Sequence, residues 1–137
     1  QARQIGLDIP LLGSDAWGTI AEADRADLEG AFFSTHYAPD IAEEPARTFI
    51  AQYQALYGHT PDDVAALTYD AFGLLFQAIQ SAGSIEPDAI RAGLASIESF
   101  NGVTGQMQFR GSGDPVKSAV ILQVRDGAFT FFKFAAP

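Results

Sequence analysis

Residues 60–83, TPDDVAALTYDAFGLLFQAIQSAG, read as a helix with both ends written into the sequence. Thr60 is placed to cap the N-terminus. Pro61 fits the first helical position, where its missing N–H costs no bond, and Asp63 completes a capping-box-like pattern. Asp62 and Asp63 set negative charge against the positive end of the helix dipole. Gly83 follows the last apolar turn and suits the left-handed conformation that stops a helix. Val64, Leu67, Ala71, Leu74, Leu75, Ala78 and Ala82 form one stripe at helical spacing. Phe72, Phe76 and Ile79 widen it until little of the second half is left for solvent. The pattern predicts a central helix buried between other layers.

Working outward, Pro45 to Tyr57 is an amphipathic helix with Phe49, Ile50, Tyr53, Leu56 and Tyr57 on one face and Gly58 as its stop. Pro87 to Ile97 is a shorter one, with Ile90, Leu94 and Ile97 together. Upstream, Leu28 to Ser34 (LEGAFFS) reads as a strand that sends Phe32 and Phe33 to opposite faces. Ile20 to Leu28 is rich in alanine and acids and reads as a short helix, and His36 to Glu44 as an acidic loop. Downstream, Val103, Met107 and Phe109 mark an extended segment. Ser118 to Val124 and Ala128 to Phe134 are apolar, β-rich runs joined across Arg125-Asp126-Gly127, a good hairpin signal. The predicted order β-α-β-α-α-α-β-β-β is an α/β domain with an antiparallel finish and no internal repeat.

The first residues, QARQIGLDIPLLG, read as a last helical turn (Ala2, Ile5, stopped by Gly6) and then a strand, Ile9 to Leu12. Opening inside a helix-to-strand connection is expected of the C-terminal portion of a longer protein.

Composition narrows the function. With 137 residues, 47 % hydrophobic and 18 % charged, the chain can bury a real core. A net charge of −9 offers nothing to neutralise phosphates, which argues against nucleic acid as a partner. The apolar runs are too short and interrupted to span a bilayer. Cysteine is absent, so there is neither a disulfide framework nor thiol chemistry.

Catalytic signals are weak. His36 and His59 are the only histidines and have no partner at ligand spacing, so loop or cap roles are expected rather than metal or acid–base ones. No nucleophile elbow, phosphate loop or HExxH pattern occurs. GSGDP at 111–115 reads as a surface turn, because no helix follows it. Glu43-Glu44 and Asp62-Asp63 read as solvated charge and a cap. The sequence supports neither an enzyme nor a cofactor.

Asp15 with Trp17, in the loop Gly13-Ser14-Asp15-Ala16-Trp17-Gly18, is the remaining candidate. In open α/β sheets, ligands gather beyond the carboxyl ends of the strands. An acid beside an aromatic ring can hold an ammonium group while the ring covers apolar surface. The competing reading is a turn aspartate that caps its own loop, with tryptophan as an anchor to the core. Spacing alone leaves both open.

The blocks IGLDIPLLGSDAW, LEGAFFSTHYAPD, FIAQYQALYGHTPDDVAALTYDAFGLLFQAIQSAG and FNGVTGQMQFRGSGDP, in that order, resemble the C-terminal part of a family of solute-binding proteins. These are the periplasmic receptors of branched-chain amino-acid ABC transporters, the leucine/isoleucine/valine-binding type. The resemblance covers nearly the whole chain.

It implies a partial type I periplasmic-binding-protein fold: α/β, a mostly parallel sheet with flanking helices and a C-terminal antiparallel hairpin. About 1–40 and 110–137 would belong to a second lobe and about 60–97 to a first, with FNGVTGQMQF as a crossing segment. Asp15 would match the acid that pairs with a ligand's α-ammonium. Ala16 and Trp17 would line the cleft, and Tyr69 and Asp70 would match a block on a first-lobe helix whose role is partly structural.

The function implied is capture of an amino acid, branched-chain or otherwise apolar, between two lobes for delivery to a permease in the periplasm, or outside the cell on a lipoprotein anchor. The implied partners are the ligand, the permease subunits and the missing N-terminal portion of the same protein, with a swapped homodimer as an outcome for an isolated piece. The alternatives are a ligand-sensing domain of a signalling receptor, or a receptor for an aromatic acid or amide.

Overall fold

The computed structural model describes residues 1–111 and 113–137. Two sheets and a helical layer organise them. The first sheet has the order β1-β2-β6-β7, from Leu12–Gly13, Phe32–Thr35, Ala119–Arg125 and Ala128–Ala135. The second has the order β3-β4-β5, from Ser99–Gly102, Gly105–Phe109 and Pro115–Val116. The helices are α1 (Ala46–Tyr57), α2 (Asp63–Ala82) and α3 (Pro87–Ala95).

Among the described residues parallel pairing is confined to β1 with β2; every other pair is antiparallel. The expected mostly parallel sheet is thus met at one pair within this chain. Short turns account for β3–β4 and β6–β7, since tight turns join only antiparallel neighbours, whereas β2 and β6 meet across the whole helical layer. At the β6–β7 turn Asp126 and Gly127 both take positive φ, 50° and 71°, as a two-residue hairpin requires. Inward and outward residues alternate along β6, where Val120, Leu122 and Val124 are buried. Opposite Ile121 and Leu122, β7 carries one extra residue, Phe132.

Several boundaries differ from the sequence reading. The first strand is Leu12–Gly13 rather than Ile9 to Leu12, because Pro10 has no N–H to give a ladder. Strand β2 starts at Phe32, after Gly30 turns the chain with φ 77°. The 20–28 segment forms a 3-10 helix, Glu22–Leu28, which has no apolar stripe to set α-helical packing. Its Arg25 guanidinium instead lies over the Phe129 ring at 4.0 Å. Another 3-10 turn, Asp15–Thr19, follows β1. The expected turn at 111–115 includes Ser112, which lies outside the described residues.

Helix α2 is capped two residues later than expected. Asp62 is the cap, accepting the Ala65 N–H at 2.8 Å, while the Thr60 hydroxyl accepts from the Gln54 amide at 2.9 Å. Aspartate caps as well as threonine, and Pro61, fully buried, fixes the entry to the helix. Gly83 closes the helix in the left-handed conformation, as read.

The helix is also less enclosed than its composition predicts. Its buried positions are the small or polar Ala66, Asp70 and Ala78, whereas Val64, Phe72 and Phe76 are more than half exposed. Close approach explains the choice of small residues. A Cβ on Gly93 of α3 would stand 2.5 Å from the Ala78 carbonyl oxygen, and one on Gly73 would stand 2.7 Å from the Phe100 ring. The aromatic side of α2 instead faces a groove shared with α1, lined by Tyr53, Tyr69, Phe72 and Phe76.

Two apolar clusters result. One lies on the first sheet (Ala31, Phe33, Ala38, Val120, Leu122, Val124), the other among α1, α2 and the β3–β4 turn (Tyr37, Ala46, Phe49, Ala66, Val103). Tyr37 and Ala38 are consecutive and serve one cluster each, so the chain leaving β2 ties them together. Phe33, 2 % exposed, sits in the first cluster with Trp17 and Phe129 against it; burying such a ring contributes about 2–3 kcal/mol.

Candidate functional site

Because β1 and β2 run parallel, their carboxyl ends emerge on the same side of the sheet. Residues 14–19 follow the first and His36 follows the second, so elements twenty residues apart in sequence meet. His36 Nε2 lies 3.9 Å from Asp15 Oδ2, with both side chains substantially exposed. The other carboxylate oxygen, Oδ1, accepts the Ala16 N–H at 3.1 Å. The turn is stiffened by Thr19, whose hydroxyl donates to the Ala16 carbonyl at 2.9 Å.

Trp17 is half-buried and packs its ring toward Phe33, centroids 6.3 Å apart. It passes so close to Gly13 that any Cβ there would overlap the indole, which is why the strand ends in glycine. The tryptophan thereby anchors the turn to the first cluster and leaves the Asp15 carboxylate outside. The start of α2 borders the same turn: a Cβ on Gly18 would stand 3.4 Å from the Asp63 carboxylate.

Tyr69 and Asp70 are not brought to this turn. Tyr69 is half exposed, lines the α1–α2 groove and packs on Phe49 with centroids 4.7 Å apart. Asp70 faces the β3–β4 turn instead and is 3 % exposed. Its carboxylate accepts the Val103 N–H at 2.7 Å, the Thr104 N–H at 2.9 Å and the Thr104 hydroxyl at 2.7 Å. Lys117, just before β6, donates to the Thr104 carbonyl and hydroxyl at 2.9 and 2.7 Å. Burial pulls its ammonium below the usual 10.5, with Asp70 opposing the shift. Asp70 is thus a clamp that pins the β3–β4 turn to α2.

Beside His36 a cavity of about 500 Å³ opens between β7 (Phe131, Phe134) and the β3–β4 turn, with Glu43 and Glu44 on its wall. Tyr37 also borders it. Burial pushes the Tyr37 phenol up to about 12, and its hydroxyl has no hydrogen-bond partner among the described residues.

Sequence reasoning missed His36, Thr104 and Lys117. For His36 a signal existed: parallel pairing of the first two strands places whatever follows the second beside whatever follows the first. For Thr104 and Lys117 no local pattern marks the partner. His59 keeps to its expected loop, its ring against Tyr53 and its Nδ1 3.1 Å from the Thr60 carbonyl. No group of three or more metal-binding side chains stands together, and no helix is long and apolar enough to cross a membrane, among the described residues.

The leucine-binding protein of Thermotoga maritima is similar to this chain, with 34 % identity and a TM-score of 0.86 over 100 % of this chain and 40 % of that one. The branched-chain amino acid transporter substrate-binding protein of Streptococcus pneumoniae, solved with isoleucine, gives 27 % and 0.85 over 100 % of this chain and 40 % of that one. A solute-binding protein of an ABC transporter from R. palustris, solved with benzoate, shares the fold, at 24 % and 0.78 over 98 % of this chain and 38 % of that one. The chain therefore spans about two-fifths of the length of these structures, and its architecture is part of the type I periplasmic-binding fold. A model of the periplasmic binding protein family matches residues 1–128, and the chain belongs to that family.

Proposed function

We propose that this chain is the C-terminal portion of a two-lobe, extracytoplasmic substrate-binding component of an ABC transporter. About 1–40 and 110–137 supply second-lobe elements and about 60–97 first-lobe elements. The two apolar clusters, joined at Tyr37-Ala38, support such a division. The protein binds and hands on its ligand without making or breaking bonds.

The observation that carries the reading is the Asp15 carboxylate, standing exposed beyond the carboxyl ends of a parallel strand pair with Oδ2 outside any hydrogen bond among the described residues. That oxygen receives the α-ammonium of an amino acid, a charge-assisted bond of the stronger kind. Ala16 and the anchored Trp17 shape the wall for an apolar side chain. Contacts to both lobes exist only when they close, so ligand shifts a hinge equilibrium toward the form that permease subunits read. Asp70 serves that movement by holding the β3–β4 turn to α2 as one body.

Calorimetric titration of L-leucine, L-isoleucine and benzoate into the complete receptor tests the reading. It expects binding of an apolar amino acid, weakened about tenfold or more in Asp15→Asn by loss of a charged hydrogen bond. Binding of benzoate alone, or an amino-acid affinity indifferent to Asp15→Asn, overturns it.

A further inference from the structure

We infer that His36 is a second acceptor for the ligand's ammonium group and, once protonated, its competitor for Asp15. Ligand affinity is then lost as pH falls through the range in which histidines charge. The inference rests on the reading of Asp15 given above.

The geometry supplies the first half. Asp15 Oδ1 is engaged by the Ala16 N–H, and it is Oδ2 that lies 3.9 Å from His36 Nε2. That separation is too long for a hydrogen bond between them. It is short enough for one nitrogen to sit about 2.9 Å from both. With its proton on Nδ1, a neutral imidazole offers a lone pair at Nε2, and an ammonium has three donors and no acceptor. One carboxylate oxygen and one imidazole nitrogen, fixed by parallel strands, make a two-point seat for such a group. In that tautomer the seat holds no donor for a carboxylate.

Protonation inverts the arrangement. An imidazolium has no lone pair at Nε2, repels the ammonium and pairs with Oδ2. Other titratable groups surround this corner. These are Asp15 itself, Glu43 and Glu44 on the wall of the cavity that His36 lines, and the adjoining Tyr37 phenol, with Asp63 beside Gly18 on the turn that carries Asp15. In general, carboxylates and phenols keep one charge state between about pH 5.5 and 7.5, whereas an imidazole changes its own there. The sign follows: binding favours the neutral ring, so affinity is full above the titration and falls below it. One proton limits the loss to about tenfold per pH unit.

The test is calorimetry of L-leucine against the complete receptor at pH 5.5 and 7.5, with His36→Gln, His36→Asn and Asp15→Asn alongside. The amides of His36→Gln and His36→Asn accept a hydrogen bond and do not charge. The native receptor is expected to weaken about tenfold at the lower pH, with both His36 variants flat within about twofold. A native profile that is flat, or variants that keep the native slope, overturns the inference even where Asp15→Asn abolishes binding. If Asp15→Asn binds normally at pH 7.5, the underlying reading of Asp15 fails instead. Histidine NMR provides a check independent of the variants: saturating leucine must move the His36 titration to lower pH, and an unmoved titration overturns the inference.

Discussion

Thr104 gives both its backbone N–H and its hydroxyl to the buried Asp70 carboxylate, at 2.9 and 2.7 Å across 34 residues of sequence. The bond pair joins the middle of α2 to the turn between β3 and β4. Gly102 makes room for it, since any Cβ there would overlap the carboxylate.

Breaking this joint leaves buried donors unpaired, which costs more than the bonds themselves contribute. Asp70→Asn is expected to destabilise by about 2–4 kcal/mol and Thr104→Val by about 1–2 kcal/mol. The double variant should fall short of the sum, because the two changes remove one shared interaction. Urea unfolding of the four proteins measures the coupling. Strict additivity would mean that Asp70 and Thr104 do not act as a unit.

Tyr37 controls a different property, the alkaline limit. Its phenol is raised by burial from 10.0 to about 12 in the fold. A group whose folded value is raised contributes stability below its unfolded value and loses it as pH climbs through the folded one. The window is therefore pH 10 to about 12. Tyr37→Phe should flatten stability there. At pH 7 it should be neutral or stabilising by about 1 kcal/mol, since it removes a buried hydroxyl with no partner among the described residues. Denaturant midpoints at pH 7, 9 and 11 test both. A large loss at pH 7 would show that the hydroxyl is engaged.

Gly13→Ala connects packing to binding. The added methyl would occupy space held by the Trp17 indole, so the ring must move and the Asp15–Thr19 turn with it. Overpacking of this kind costs about 1–3 kcal/mol of stability. Tryptophan fluorescence should shift, and leucine affinity should fall although no ligand-contacting atom has been replaced. An unchanged affinity with a shifted spectrum would separate the Trp17 anchor from the site.

The local features of this fold are legible in the sequence, because local chemistry dictates them. Asp126-Gly127 turns the final hairpin, and Gly58 and Gly83 end their helices with positive φ. The apolar width of α2 misleads. Phe72 and Phe76 pattern as core, yet only small side chains fit where Gly93 and Phe100 close in, and the large rings are left facing the α1 groove. Asp15 was legible as a candidate through its place after a strand and beside an aromatic. Its neighbour His36 was legible only through the pairing of the first two strands, since their meeting depends on which strands lie side by side. Asp70 patterns as one more helix position, and nothing within 30 residues of it names Thr104.

If Asp15 reads a positive charge on the ligand, a ligand that lacks only that charge isolates its contribution. L-leucine and 4-methylpentanoate share the carboxylate and the branched side chain and differ in the ammonium group. Titrating both into the complete receptor and into Asp15→Asn closes a cycle. The native protein should prefer leucine by about thirtyfold, as a charged hydrogen bond of about 2 kcal/mol implies, and Asp15→Asn should bring the two ligands within a few-fold of each other. A leucine preference that survives Asp15→Asn undiminished would place the ammonium elsewhere and contradict the account.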